Sequence, residues 1–316
     1  MSASWWVVLA ACSGDGAGTS DGSDPATSDG PTETGTDTNT DPPTIPPPVW
    51  TWPGVYVQRV SVGDVHGCWL NDAGQVACWG DDTKAQVSGA PSGDGFVVIT
   101  VGLEHSCALD AAGTPVCWGS NEFGQTSAPP GPFVTMDCGG EHCCALDAAG
   151  ATDCWGNDDN DRSLEPTGPF VSIDAGHAHT CAVKADGAVS CWGLNTFGQT
   201  SAASGSFLQV GAAVSHTCAI DTDTKAQCWG ADDANQSSPS AFDFFHQVSG
   251  GAVHSCAIRT DLQVQCWGLD DDGQAAPPPG TFQQVSAGTY NACALSTPPE
   301  RVVCWGRDDL GQSSPD

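Results

Sequence analysis

Ala175-Gly176-His177-Ala178-His179-Thr180-Cys181-Ala182-Val183 is followed by Asp186-Gly187-Ala188-Val189, and then by Trp192-Gly193-Leu194-Asn195-Thr196-Phe197-Gly198-Gln199. Two Cys ten residues apart, Cys181 and Cys191, bracket a turn-forming Asp-Gly with short apolar runs on either side. The pattern recurs along the chain. Cys-Trp-Gly places its tryptophan at Trp79, Trp118, Trp155, Trp192, Trp229, Trp267 and Trp305, in steps of 37–39 residues. An earlier Cys precedes each of these: Cys68, Cys107, Cys144, Cys181, Cys218, Cys256 and Cys293.

Other positions keep register with these cysteines. Two residues before the first Cys stands His66, His105, His142, His179, His216 or His254, and Asn291 in the last repeat. Eight before it the residue is apolar (Val60, Ile99, Met136, Ile173, Val210, Val248, Val285). Eleven before it is Phe96, Phe133, Phe170, Phe207, Phe245 or Phe282, with Tyr56 one place out in the first repeat. Three after each Trp comes Asp or Asn, and seven after it comes Gln, with Arg162 the exception. The runs are short, β-rich and bounded by Gly, Asp, Asn and Pro, so each repeat reads as three or four antiparallel strands. No window supports an amphipathic helix. Small sheets of this size cannot bury both faces alone, and radial stacking with closure solves that problem. The fold class expected is all-β, a seven-bladed β-propeller of ~37-residue repeats. The stretch Tyr56–Val62 is expected to complete the last blade and close the ring.

The pattern Ala-Gly-x-x-His-x-Cys-Ala-Leu, Asp-Gly-x-Val, Trp-Gly-x-Asn-x-x-Gly-Gln resembles the regulator of chromosome condensation repeat family, over roughly residues 55–316. The resemblance implies a seven-bladed propeller. The short repeats are closer in length to bacterial secreted members than to the eukaryotic namesake. The guanine-nucleotide exchange of that namesake is not carried by any residue that can be matched. The Gly-Trp-Arg-His-Thr motif of a plant photoreceptor of the family is missing.

The cysteines are read as staples. A hairpin centred on Ala73 puts Cys68 opposite Cys78, at the separation a disulfide spans. The same pairing gives Cys107–Cys117, Cys144–Cys154, Cys181–Cys191, Cys218–Cys228, Cys256–Cys266 and Cys293–Cys304, one bridge per blade. Cys138 and Cys143, five apart in the third repeat, are expected to form an eighth. A zinc protein is the rival reading, but this spacing supplies only two ligands per blade. The histidines are read as satisfying the same slot in each blade. The Asp/Asn residues are read as turn closers, because the spaced oxygens calcium requires are absent.

The amino terminus carries a different signal. Leu9-Ala10-Ala11-Cys12 follows an apolar run and resembles a bacterial lipobox, which implies a lipidated Cys12 after an 11-residue signal peptide. Met1–Ser4 lacks the basic residue such signals normally have. Residues 12–48 hold seven acids and no base among Ser, Thr, Gly and Pro, a composition that does not bury enough apolar surface to fold. The domain expectation is therefore 1–11 signal, 12–48 anchor and disordered linker, and 49–316 propeller. The location expected is a bacterial cell envelope or the secreted fraction.

The chain has 38 acids against 8 Lys and Arg, a net charge of −30. The acidic linker accounts for −7 of it, leaving −23 on residues 49–316. Phosphate backbones repel such a chain, so nucleic acid is excluded as a partner, and the membrane is met only through the lipid anchor. No catalytic, cofactor or metal constellation stands out, so an enzyme is not expected. The function expected is a monomeric, non-catalytic protein-interaction or scaffold module with protein partners of unknown identity. Inhibition of an extracellular enzyme, or glycan- or metal-dependent binding or hydrolysis, are the alternatives. Residues that break the internal pattern are the candidate contact surface: Trp69, where the other repeats have Ala, and Phe242, Phe244 and Phe245.

Overall fold

The computed structural model describes residues 58–164 and 166–315, together with the backbone of Thr51–Trp52 and Val55–Tyr56. All of these belong to the second of two contact units, Ile45–Asp316. The lipobox and linker, Cys12 included, lie outside the described residues.

Seven three-stranded antiparallel sheets follow one another along the chain, and no α-helix occurs among the described residues. In the fourth blade Phe170–Ala175 is the inner strand, His179–Lys184 the middle one and Val189–Gly193 the outer one. The inner strands contact one another cyclically around an axis, with Phe282–Ala287 of the last blade against Val60–Val62 of the first. The result is a closed seven-bladed β-propeller. Each turn from inner to middle strand lies on one rim, called upper here, with the Asp/Asn loops. Each middle-to-outer hairpin lies on the lower rim.

Packing explains why the blades need one another. The buried apolar residues form seven clusters, and each spans a seam between two blades. Cys68 and Leu70 of blade 1, for example, pack on Ile99, Val101, Ala108 and Trp118 of blade 2. The other seams repeat this arrangement, including blade 7 on blade 1 through Cys293, Leu295, Val60, Val62 and Trp79. Burial at ~25 cal/mol per Å² therefore rewards assembly of the ring rather than folding of any one blade.

Eight disulfides hold the blades internally. Seven join the middle and outer strands at directly paired positions, with Cα separations of 4.0–4.1 Å. The eighth, Cys138–Cys143, joins the inner and middle strands of blade 3.

Ring closure differs from the expectation. Val60–Val62 is the inner strand of blade 1, paired with His66–Leu70, and Val55–Tyr56 pairs with Thr51–Trp52. Blade 7 completes itself from its own repeat, with three strands. The reason is phase: every repeat begins at an inner strand, so no blade borrows a strand from the other end of the chain. Side chains close the seam instead. Arg59 pairs with Glu300 of blade 7 and Asp72 of blade 1, and its backbone N–H donates to Gln284 Oε1 at 2.8 Å. The extra residue of the last hairpin lies in the loop that carries Glu300.

Close approach near the axis depends on glycine. A Cβ on Gly63, Gly102, Gly139, Gly176, Gly251 or Gly288 would overlap a backbone carbonyl of the next blade, and Gly288 against Gly63 completes the circle. Blade 5 has Ala213 at this position. Its methyl is accommodated because blade 6 has Gly250 beside it, where an added Cβ would lie 2.5 Å from that of Ala213. Gly250→Ala is expected to overpack this seam and destabilise the protein by about 1–3 kcal/mol. Adding Ala213→Gly should recover most of the loss in a denaturant or thermal melt. A double variant no more stable than Gly250→Ala alone would refute the pairing.

Candidate interaction surface

The polar residues of the repeat either join blades or close their own loops. Each tryptophan indole N–H donates to the backbone carbonyl seven residues after the preceding blade's Trp. The pairs are Trp118–Gln86, Trp155–Gln125, Trp192–Arg162, Trp229–Gln199, Trp267–Gln236, Trp305–Gln274 and, across the closure, Trp79–Gln312, at 2.8–3.1 Å. The glutamine side chains fold back on their own loops, as Gln125 Oε1 does in accepting from Phe123 N. Each Asp or Asn three after the Trp accepts backbone N–H groups about five residues on, as Asn195 does from Thr200 and Asp308 from Ser313. These side chains close turns.

The histidines also cross seams. His66, His142, His179 and His216 place Nε2 at 2.7–2.8 Å from Ser106, Thr180, Thr217 and Ser255 of the next blade. Thr217 and Ser255 donate their own protons to Gln199 and Gln236 carbonyls, so His179 and His216 donate from Nε2. At the seam between blades 2 and 3 the partner is Cys143 Sγ, 3.2 Å from His105 Nε2. His105, Cys138 and Cys143 offer three donors within 4.8 Å of one another, but both sulfurs belong to a bridge and supply no thiolate. Burial holds these imidazoles neutral, with His66, His179 and His254 lowered to about 4, His105 and His216 to about 3, and His142 well below its usual range.

The axis holds two carboxylates that the sequence reading missed. Asp137 and Asp174 sit seven residues before the first Cys of their blades, where the other repeats have Ser, Thr or Gly. From this position Ser61, Thr100, Asp137, Asp174, Ser249 and Ser286 each accept a backbone N–H of the next blade. Asp137 also accepts from Thr100 Oγ1 at 2.6 Å. The space they border is narrow, about 110 Å³. Burial raises Asp137 to about 6, and burial together with repulsion from Asp137 raises Asp174 well above the carboxylate range. Two acids at positions otherwise held by small residues were the signal available in the sequence.

The candidate contact residues divide. Phe242 is 88% exposed and Phe244 50%. Both lie in the lower-rim loop before the inner strand of blade 6, where Lys225 Nζ sits 3.6 Å from the Phe244 ring centre and donates to the Ala241 and Asp243 carbonyls. Phe245 is corrected: it is fully buried, 6.0 Å from the Trp267 ring, in the slot six of the seven repeats fill with Phe. Trp69 is half-buried and packs on the blade 7–blade 1 cluster, so it belongs to ring closure. Other exposed apolar residues were missed: Phe123, Leu164, Phe197 and Leu310 in the loops after the Trp, and Val171 (60%) and Leu208 (56%) on inner strands. Val171 and Leu208 each sit where the inner strand's register slips by one. A bulge leaves the extra residue outside the ladder and turns it to solvent.

The model of the regulator of chromosome condensation (RCC1) repeat matches residues 96–125, 170–199 and 245–274. The ectodomain of the receptor kinase CR4 from Physcomitrella patens is 29% identical, with a TM-score of 0.69 over 79% of this chain and 73% of that one. The CRINKLY ectodomain of the Arabidopsis thaliana receptor kinase ACR4 is 26% identical, with a TM-score of 0.67 over 81% and 98%. Prp20p from Saccharomyces cerevisiae shares the fold at 16% identity, with a TM-score of 0.62 over 74% and 81%. Three of the seven blades match the RCC1 repeat. No curated protein sequence matches it. Each matched RCC1 segment runs from the inner-strand Phe to the loop Gln, in blades 2, 4 and 6. Blade 3, with Arg162 and the extra cysteine pair, is not among them.

The buried groups set the pH response of this propeller. Depressed histidines are neutral when folded and charged when unfolded, so stability is expected to fall as pH drops from about 6.5 toward 4. The raised aspartates act oppositely, since they hold protons in the folded state that the unfolded chain releases. Asp174→Asn keeps an oxygen for Ala212 N–H and removes a buried charge. It is expected to raise the melting temperature at pH 8, by roughly 2–4 °C per kcal/mol recovered. The gain should vanish by pH 4, where wild-type Asp174 is already neutral. An equal gain at both pH values would exclude a charge effect.

Proposed function

We propose that this protein is a non-catalytic protein-interaction module, held at a bacterial cell envelope by a lipid on Cys12 and an acidic linker over residues 12–48. One observation carries the binding reading. Three consecutive blades, 4, 5 and 6, expose apolar side chains at the lower rim: Val171, Leu208, Phe242 and Phe244. Adjacent exposed apolar groups with a polar surround are what protein-binding surfaces present. Lys225 supports the loop from beneath, which lowers the entropy lost when a partner binds. The indole and imidazole groups the repeats share bond neighbouring blades, and the shared Gln and Asp/Asn close their own loops, so all of them serve the ring's structure. Prp20p, a propeller of the same fold, is described with its binding to Gsp1p and histones, and it appears in complex with Kap60. Those partners are not transferred to this chain.

The envelope location rests on Leu9-Ala10-Ala11-Cys12 and on the composition that follows it. A solvated, acidic stalk behind an anchor places a folded head away from the lipid surface.

Two experiments test the reading. Extracellular and envelope fractions of the host are cross-linked to the purified protein and to Phe242→Ser/Phe244→Ser. The double variant is expected to lose the specific partner while its melting temperature stays within a degree or two, because both rings are exposed. Equal recovery by both proteins would move the interface elsewhere. Cys12→Ala is expected to shift the protein from the membrane pellet to the soluble fraction, and unchanged partitioning would remove the anchor.

A further inference from the structure

A single side chain is missing from the lower rim at the seam between blades 1 and 2. The residue just before the inner-strand Phe is Pro132 in blade 3, Pro169 in blade 4, Ser206 in blade 5, Phe244 in blade 6 and Thr281 in blade 7. In blade 2 it is Gly95. Pro132 lies over the hairpin glycine Gly113 of blade 2, and Pro169 over Gly150 of blade 3, at 3.1–3.2 Å from where a glycine Cβ would stand. At the first seam the hairpin glycine is Gly74, and the atoms nearest it are backbone atoms of Gly95 and Phe96. Phe96 N–H donates to the Gly74 carbonyl as Phe133 N–H does to that of Gly113, but Gly95 takes φ +83, which a proline ring does not allow, and it brings no ring over Gly74.

The consequence is visible in the packing. Phe133, Phe170, Phe207, Phe245 and Phe282 are at most 5% exposed, whereas Phe96 is half-buried. Beside it is a cavity of about 450 Å³, lined by Leu70, Ala73, Gly95, Phe96, Val97 and Ala111. Its exposed wall is mostly apolar, with the bulged residue Val97 part of it, while Arg59, Asn71 and Asp72 add a polar side.

We infer that this cavity binds a proline-bearing extended segment of a partner protein, whose pyrrolidine ring takes the place that Pro132 and Pro169 fill at the next two seams. The inference rests on the interaction-module reading and names the partner chemistry and a second contact point. Proline suits the place on three grounds. The protein itself uses proline over the equivalent hairpin glycines Gly113 and Gly150. Aromatic-walled apolar grooves are a recurring receptor for polyproline segments, which lose little entropy on binding. A partner with basic residues flanking the proline is further favoured by a chain of net charge −30.

The test uses the full chain and two capped peptides, Lys-Pro-Pro-Pro-Pro-Lys and Lys-Gly-Gly-Gly-Gly-Lys, titrated by calorimetry. Saturable 1:1 binding of the proline peptide, absent for the glycine peptide, is expected. Ala111→Trp fills the cavity from an exposed hairpin position and should weaken binding by about tenfold or more, with an unchanged melting temperature. Binding that Ala111→Trp leaves untouched places the peptide elsewhere and overturns the assignment, as does equal binding of both peptides or no binding. The chain has its own Pro46-Pro47-Pro48. If only a Pro46→Ser/Pro47→Ser/Pro48→Ser chain binds the peptide, the occupant is this chain's own segment, and the partner assignment falls. None of these outcomes bears on Phe242 and Phe244, which are read by the cross-linking experiment at blades 5 and 6.

Discussion

The bond from each tryptophan indole to a carbonyl of the preceding blade is the constraint around which the propeller is built. It occurs at every seam, including the closure through Trp79 and Gln312. At two seams the same carbonyl accepts a second proton, from Thr217 or Ser255, and that hydroxyl accepts from a histidine of the earlier blade. One backbone oxygen thereby ties together three side chains from two blades. A buried indole N–H or imidazole left without its partner is unfavourable by about 1–3 kcal/mol. Removing a blade strands both groups at once. The seam-spanning apolar clusters act in the same direction, so ring closure and blade folding are one process.

The exceptions show how much freedom this constraint leaves. Arg162 replaces a glutamine, yet its carbonyl still receives the Trp192 indole, because the staple uses backbone and not side chain. Cys143 replaces a hydroxyl, and a bridge sulfur takes over as acceptor for His105. Ala292 offers His254 no hydroxyl at the seam between blades 6 and 7. Ala213 is matched by Gly250 across its seam. Gly211 omits the side chain that elsewhere accepts the next blade's N–H. Each loss is confined to one seam, and the six others keep the ring closed. That tolerance lets a lower rim diverge into exposed apolar residues over blades 4 to 6 and an uncovered cavity between blades 1 and 2.

Much of this was legible before any coordinate. Seven Cys-Trp-Gly steps of near-constant length carry the blade count, because a sheet that small has no stable alternative to radial stacking. The Cys pairs flanking Asp-Gly turns carry the bridges, since a hairpin fixes which residues oppose. The roles of the repeated His and Asp/Asn were legible only as shared slots; their partners lie about 38 residues away across a seam, and no local pattern names them. Phe245 was misread because Phe242, Phe244 and Phe245 form one run in sequence, while strand alternation and the entry to blade 6 send the last ring inward. Val171 and Leu208 were invisible for a related reason: a bulge exposes a residue that simple alternation would not.

By itself the sequence determined the repeat, the number of blades, the strand-turn-strand unit and the pairing of the cysteines, all of which follow from local periodicity and turn chemistry. Tertiary structure alone decided where the ring closes, that Asp137 and Asp174 each reach across to the next blade near the axis, and that Gly95 leaves a cavity. These depend on distances between residues far apart in the chain. Closure brings such residues together, and a side chain's absence becomes a space only when the neighbouring blade stands beside it.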